Sequence, residues 1–563
     1  MKGIEIKHAY DALWSAQTAV MGTWDVISKL IVPFRGDFWR EVTNENSINW
    51  HQNREIFDST APNSNNLLAS SIHSALTNPA YQWFDIVFRN PSLRKMARVR
   101  QWSQETTLRV YNALMDSNFD LEANELYLDL PSYGTGIILE EEVLERGSFK
   151  ELLFQSVPLK EGLFEEDARG QVLRFYRKYK YTAHQIRDKF GVKNIPLVVS
   201  EQFDTVRGAT EKIDVIFCIY PRQNKLKNKN SPKRLSAKQR PFGFKYVLYN
   251  APEEMLGEEG GYYEMPSYVP RWRKTNQSKY GNSPGMIALP DILTINQLTE
   301  LVLTATEKVV DPATLVTERG LMSNLDLNPA GMTIVRDIEK SLKAYESRAR
   351  FDVSSLQREN LISSIRNIFY VDQLEMKESP AMTATEVNVR YELMQRLLGP
   401  TFGRLKSDFL DRMVERTFYI LYRNGEIDPI PEEAYTGDGN LDLDIVYTGP
   451  MARAQRMDKV NAAFQWVGQL AEIAALHPSL EPVLDIINVE EFGRITAADS
   501  SVDAAMVEDL KSMRKKAAAR AEAQATAQAA AKGEALQELG KGEQEMAAAN
   551  QEEGNVVPIG NRG

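Results

Sequence analysis

Apolar residues recur along this chain at two spacings, and the switch between them marks its parts. One stretch has them at Val387, Tyr391, Met394, Leu398, Phe402, Leu405, Phe409 and Met413, in steps of three and four. That is one face of a helix. The run opens after Pro380-Ala381-Met382 at Thr383-x-x-Glu386, a capping box. Its hydroxyl and carboxylate satisfy donors that a helix start leaves orphaned. It closes at Asn424-Gly425, a pair suited to a left-handed C-cap. About 40 residues at 1.5 Å each predict a rod of roughly 60 Å. Gly399-Pro400 in its middle predicts a kink, since proline removes a hydrogen bond and crowds the preceding turn.

The same period appears elsewhere. Residues 5–32 carry Trp14, Ala16, Val20, Trp24 and Ile27 until Pro33. Leu67, Leu68, Ser71, Ile72, Ala75 and Leu76 share a face before Asn78-Pro79. Residues 91–118 and 119–132 read as two more helices. A second rod, ALPDILTINQLTELVLTATEKVVDP, has its stripe at Ile292, Ile295, Leu298, Val302, Ala305 and Val309. Pro290 fits its first turn and Asp311-Pro312 its end. A third rod occupies about 355–370, and more helices about 451–475 and 480–515.

From about 135 to 250 the pattern changes to short strands and turns. QVLRFYRKY (171–179) and KIDVIFCIY (212–220) alternate or run apolar at strand length. TAHQIRDKFG is a short helix closed by Gly191. LDLDIVYTG (441–449) is a strand, and 313–335 is a compact insert with MTIV as a strand. In the tail the pattern fails: ten of the 15 residues at 517–531 are alanine, with no stripe to bury.

Composition narrows the class. The 563 residues are 43% hydrophobic and 26% charged, an ordinary globular balance with length for three to four domains at about 150 residues each. The single cysteine, Cys218, excludes a disulfide framework and reads as a small buried hydrophobe. MKGIEIKHAYDALWSAQ has no apolar signal core, and no run approaches the roughly 18 apolar residues of a span. The chain is expected to be intracellular or particle-borne. A net charge of −10 disfavours tight sequence-independent DNA binding, which rests on cations neutralising phosphates.

Candidate chemistry is sparse. The five histidines are too scattered for a local metal motif. No phosphate-binding G-x-x-x-x-G-K-[ST] run or G-x-S-x-G elbow occurs, and YGTG at 133–136 reads as a structural turn. The acidic clusters Glu140–Glu142 and Glu165–Asp167 read as solvated faces. The basic stretch 222–245, with no acidic residue, reads as a solvated hairpin loop, with a phosphate or partner contact as the alternative. The expectation is no enzyme, no cofactor and no metal.

Four collinear stretches resemble one family. They are FDSTAPNSNNLLASSIHSALTNPAYQWFDI, then VPRWRKTNQSKYGNSPGMIALPDILTINQL with VVDPATLVTERG, then MTATEVNVRYELMQRLLGPTFGRLKSDFLDRMVERTF, and DIVYTGPMARAQRM. Together they span about residues 50–456 and resemble the head-to-tail connecting, or portal, proteins of short-tailed (podovirus) bacteriophages. The resemblance implies an α+β, portal-type fold with a mixed α/β wing, a helical stem, a small α/β clip and a helical crown or barrel. By that likeness the wing is 1–287, with 383–449 returning to it. The stem helices are 288–310 and 355–371, and the clip is 311–354. A tunnel loop at 372–382 would face the channel with Asp372, Gln373, Glu375, Lys377, Glu378 and Met382, Lys377 being the candidate for transient contact with DNA. Thr383 and Glu386 would cap the long kinked helix 383–424. Crown helices would occupy 450–515 and an Ala/Gln-rich tail, barrel or disordered, 516–563.

The implied function is a ring, of twelve subunits by the resemblance, at one capsid vertex. It would conduct double-stranded DNA during packaging, retention and ejection. Implied partners are the terminase large subunit, tail adaptor proteins, and capsid and scaffolding proteins, with no membrane. The place is the virion, and the host cytoplasm during assembly. The alternatives are another phage capsid or tail structural protein, or a metal-dependent nucleic-acid enzyme.

Overall fold

The apolar run of KIDVIFCIY becomes the middle of a sheet because a strand covered on both faces has no polar face to alternate with. In the computed structural model of the chain, β6 (Lys212–Pro221) is central in a five-stranded antiparallel sheet. The order is β4 (Gly162–Glu166), β5 (Val172–Thr182), β6, β7 (Phe242–Leu248) and β8 (Met255–Tyr262). Helix α1 (Gly3–Leu30) lies on one face, where Ile6 and Tyr10 join Leu163, Tyr176, Ile216, Cys218 and Val247 in one core. Cys218 is fully buried and burial pushes its thiol up to about 12, so it behaves as a small hydrophobe. On strands β5, β6 and β7, Tyr179, Phe217 and Tyr246 form a second ring cluster. The ammonium of Lys189 lies 4.9 Å from the Tyr246 ring centre. Lys189 is carried by the short helix Ala183–Phe190.

The structure describes residues 1–35, 56–94, 96–145, 148–191, 195–203, 205–222, 235–275, 278–310, 314–316, 342–344, 351–374, 398–434, 443–448 and 450–476, with scattered positions beyond. The chain divides into two compact units. One is Met1–Arg89 with Ser103–Ala454, and the other is Asn90–Trp102 with Gln455–Gly563. In the first unit a three-stranded sheet has the order β3 (Ser148–Ser156), β2 (Ile138–Glu145), β9 (Ser267–Tyr268). Strand β1 (Phe84–Phe88) pairs antiparallel with β12 (Leu443–Tyr447), so distant parts of the chain close on each other. Helix α2 (Thr60–Leu76) packs on α4 (Phe119–Tyr133), and α3 (Ala97–Met115) precedes it. The expected helix 91–118 is thus shorter, because Pro91–Arg94 is a separate turn on which Asn90 accepts from the Ser92 amide. Helix α5 (Ala183–Phe190) has a complete capping box at Thr182 and Gln185 and closes at Gly191, φ +72°.

Two long helices follow, α6 (Pro284–Val310) and α7 (Phe351–Ile368), with the two-stranded β10 (Thr314–Val316) and β11 (Leu342–Ala344) between them in sequence. Of MTIV, Ile334 is exposed and not in a strand, and the other three residues lie outside the described ones. Pro284, not Pro290, stands at the start of α6, and Pro290 is inside it. Ser283 explains the earlier start: its hydroxyl accepts from the Met286 amide, a cap the sequence reading missed. The long helix is described from 398. It passes through a π-helical segment, Lys406–Leu410, into α8 (Asp411–Asn424), which ends on Gly425 at φ +80°. The second unit contains most of α9 (Pro450–Leu476), on which Phe464 meets Phe492 edge-on at 5.5 Å.

Candidate functional site

Helix α6 buries Gly285, Ala288, Ile292, Ile295 and Thr299, positions three and four apart. The stripe expected beyond Ile295 is only partly covered: Leu298, Val302 and Ala305 are half-buried and Val309 is 50% exposed. Leu301 is 58% and Leu303 50% exposed. Helix α7 repeats this. Ile365 is fully buried near its end, whereas Leu356 near its start is 64% exposed. The pair runs antiparallel. Ser364 donates to Asp291 at 2.7 Å, near the start of α6. Farther along, the Phe57 amide donates to Asn296 at 2.7 Å and Arg358 reaches Asp58 at 3.2 Å. The segment before α2 therefore ties both helices at mid-length, while Asp58 Oδ1 also accepts from the Thr60 amide at the start of α2.

One window of 18 residues in α6 has mean hydropathy 1.3, long and apolar enough by composition to cross a membrane, yet only 17% of it is buried. The sequence reading had expected no run of that character. The polar residues between its leucines are threonines, asparagine and glutamine, with four charged positions, Asp291, Glu300, Glu307 and Lys308.

At the root of the pair, Phe369 is fully buried and Tyr370 adopts φ +59°, the only non-glycine in the left-handed region among the described residues. The turn leads into one helical turn, Val371–Leu374. There Asp372 and Gln373 are exposed, and Asp372 pairs with Arg366 at 3.1 Å. These two site residues thus sit just past the end of α7. Glu375, Lys377, Glu378, Met382, Thr383 and Glu386 lie outside the described residues. Gly399 and Pro400 are helical, but the turn before them is also outside.

The entry to α6 is built where two glycines let backbones touch. Gly134, at φ +77°, ends α4. A Cβ there would lie 2.3 Å from the Gly281 carbonyl oxygen. The Gly281 amide donates to Thr135 Oγ1 at 2.9 Å, and Ser283 Oγ to the Ser132 carbonyl at 2.7 Å. YGTG at 133–136 is therefore a turn against which the entry to α6 packs.

The acidic clusters are not solvated faces, save for Asp167, whose carboxylate accepts from the Arg169 and Gln171 amides of its own exposed turn. Glu140 on β2 is fully buried. Thr417 donates to it at 2.8 Å, the Tyr268 hydroxyl donates to it, and Arg416 stands 3.5 Å away. Arg416 also donates to the Glu264 carbonyl at 2.9 Å, and Arg423 forks onto the Glu264 carboxylate with two bonds of 2.8 Å. Burial pushes Glu140 up to about 7 against the opposing pull of Arg416. Glu141 accepts from Tyr262 and Glu142 from Asn424. Likewise Glu165 accepts from Arg174 and Tyr176. The expectation failed because each carboxylate's partners lie on other elements, α8 above all. Ile137-Ile138-Leu139 directly before Glu140 was the available signal, since a strand that buried does not surface within one residue.

The basic stretch is corrected at its ends. Arg222 and Lys245 are largely buried on Glu259, at 2.5 and 3.1 Å. Burial pushes Glu259 up, but bonds from Tyr220, Arg222 and Lys245 outweigh it and hold the carboxyl at about 2. Residues 223–234 lie outside the description. Among the described residues no three His, Cys, Asp or Glu side chains gather as a metal site.

The chain is also similar in sequence to known proteins. The chain is 26% identical over 501 residues to a probable portal protein of Bordetella phage BPP-1, covering 86% of this chain and 85% of that one. It is 24% identical over 521 residues to the portal protein of Salmonella phage epsilon15, covering 90% of each. Residues 4–507 match the family of bacteriophage head to tail connecting proteins. The chain belongs to that family.

Proposed function

We propose that this chain is the portal of its particle: a closed ring at one capsid vertex through which double-stranded DNA enters and leaves. The observation that carries the reading is the uncovered apolar length of α6. A helix of mean hydropathy 1.3 with 17% of its window buried needs cover of about the same extent, since exposed contiguous apolar area marks an interface. Identical copies related by rotation supply it at every subunit with one repeated contact. In this reading α6 and α7 form the stem and β10 with β11 belongs to the clip. The segment from Asp372 to Met382 enters the channel and the helices after 450 form the crown. The net charge of −10 per chain favours passage over capture, because an acidic lumen repels phosphate. The clip would meet the terminase and later the tail adaptors, and the wing the capsid and scaffolding proteins.

The test is the native mass of the purified full-length chain with negative-stain images of the same sample. A ring of twelve chains of 63.9 kDa weighs about 767 kDa, and a central hole must be visible. A 63.9 kDa species that stays monomeric after scaffolding and capsid proteins are added overturns the ring.

A further inference from the structure

Helix α8 and the β1–β12 pair leave a hollow between them. Asp411, Val414, Glu415, Phe418 and Tyr419 recur at steps of three and four along α8 and so share one face. On the strands, Ile86 of β1 pairs in register with Ile445 of β12, Asp444 precedes Ile445, and Arg89 follows the end of β1. All these side chains line one cavity of about 230 Å³. That is many times the roughly 10–15 Å³ that one water needs. It is smaller than the roughly 300–1,000 Å³ of pockets that take drug-sized ligands. The space suits a short chain of a few heavy atoms.

The floor and the rim of the cavity differ in chemistry. Ile86, Val414, Phe418 and Tyr419 are almost fully buried and make an apolar, aromatic floor. Asp411 and Asp444 are half-buried, and Glu415 and Arg89 are exposed. Three carboxylates against one guanidinium leave a surplus of two negative charges. Asp411 is fixed in place, because it accepts from the Tyr447 hydroxyl at 2.5 Å. Burial raises its carboxyl above the ordinary value, Tyr447 and Lys406 pull it back, and the charge of Asp444 raises it again. A cation between the two carboxylates relieves that repulsion. The chain already accommodates one such group next door. Lys406 Nζ lies 4.6 Å from the centre of the Tyr447 ring, whose hydroxyl bonds Asp411. Lys406 also opens the π-helical segment that ends directly before Asp411, an irregularity that recurs at functional sites.

We propose that this cavity binds an aliphatic ammonium, with its methylenes on the floor of Ile86 and Val414 and its charge held by Asp411 and Asp444. The Phe418 and Tyr419 rings add their attraction for a cation. A bare metal ion leaves the apolar floor unused, and among the described residues no metal-binding cluster gathers. An anion meets the surplus negative charge, and an uncharged chain leaves the carboxylates unanswered. Two sources carry the required chemistry, a free linear diamine and a lysine side chain of another chain. A diamine can place its second ammonium at Glu415 on the rim. The site does not rest on the ring.

The experiment uses the full-length protein. The probes are linear diaminobutane for the free amine and Nα-acetyl-lysine methylamide for the side chain. Ammonium chloride and magnesium chloride at matched ionic strength, and linear butanediol, are the controls. The melting temperature is read in each, and calorimetric titration gives the affinity. In the wild type a probe should raise the melting temperature and saturate, and no control should do so. Glu415→Gln with Asp444→Asn should weaken binding about tenfold or more, the loss expected when charged partners are removed. A response to the diamine alone assigns a free amine, one to the lysine probe alone a protein side chain, and one to both the shared ammonium chemistry. A wild type indifferent to both probes overturns the proposal. So does magnesium that acts as well as the diamine, and so does a double variant that keeps the full affinity. Should that variant not fold, the wild type still decides: ammonium lacks the methylenes and butanediol lacks the charge, so a control that matches the probes overturns the site.

Discussion

Strand β6 and helix α6 are both apolar runs, and they are covered by different means. On β6, Val215, Ile216, Phe217, Cys218 and Ile219 are fully buried, closed in by β5, β7 and helix α1 of the same chain. On α6, burial ends at Thr299, and leucines and valines continue past it to Val310. A fully buried side chain stabilises its own fold by about 1.5–3 kcal/mol. An exposed one stabilises nothing until something else covers it. The five-stranded sheet therefore has its reason for being apolar within one subunit. The far half of α6 has no such cover in the chain's described residues, as the proposed contact between copies requires.

The largest effect expected from this contrast is on assembly. Replacing Leu301 and Leu303 together by serine removes apolar surface that the described residues leave exposed. The subunit's own unfolding free energy should change by no more than about 0.5 kcal/mol per site, the usual size for surface positions. The ring should be lost, read as collapse of the native mass to subunits. A ring of unchanged mass and salt resistance would show that α6 is not the contact and would erase the contrast.

Next in size is a break within the covered region. Arg416→Ala leaves Glu140 buried beside Glu264 with no cation, and removal of one partner of a buried pair costs about 3–5 kcal/mol. Chemical denaturation of the full-length chain should show that loss at pH 8. It should be smaller at pH 5, where Glu140 without its cation takes a proton. An equal loss at both pH values would mean that the carboxylate is not what Arg416 compensates.

Much of this was legible in the sequence, and the illegible part has one cause. The short helix closed at Gly191, the end of α8 at Gly425 and the apolar face of α2 depend on residues within a few turns, and the structure has them where the spacing puts them. Glu140 depends on Arg416 and Thr417, more than 270 residues away. Arg222 depends on Glu259 through a sheet register. Such charges look solvated in a linear reading because their partners have no fixed offset. The stem failed the opposite way. The sequence showed the stripe of α6 correctly, but a stripe does not say whether its partner belongs to the same chain. Of the expected loop residues, Asp372 and Gln373 stand in the helical turn after α7, and the others fall outside the described residues.

The smallest effect separates covered from uncovered charge by pH. Glu140 is raised to about 7 by burial, from an ordinary value of 4.5. Between those values the folded chain holds a proton that the unfolded chain has released, so this group makes stability fall as pH rises from about 4.5 to 7. Glu259 is lowered to about 2, so its contribution is present above about 4.5 and is lost as pH falls toward 2. Glu140→Gln should therefore flatten the decline between pH 5 and 7 and leave the acid limb untouched, while Glu259→Gln should do the reverse. Thermal melts of each form at half-unit pH steps read both limbs. If Glu140→Gln left the neutral limb as steep as before, the buried carboxylate would titrate elsewhere, and the difference between the buried Glu140 on β2 and the part-buried Glu259 on β8 would have to be drawn from packing alone.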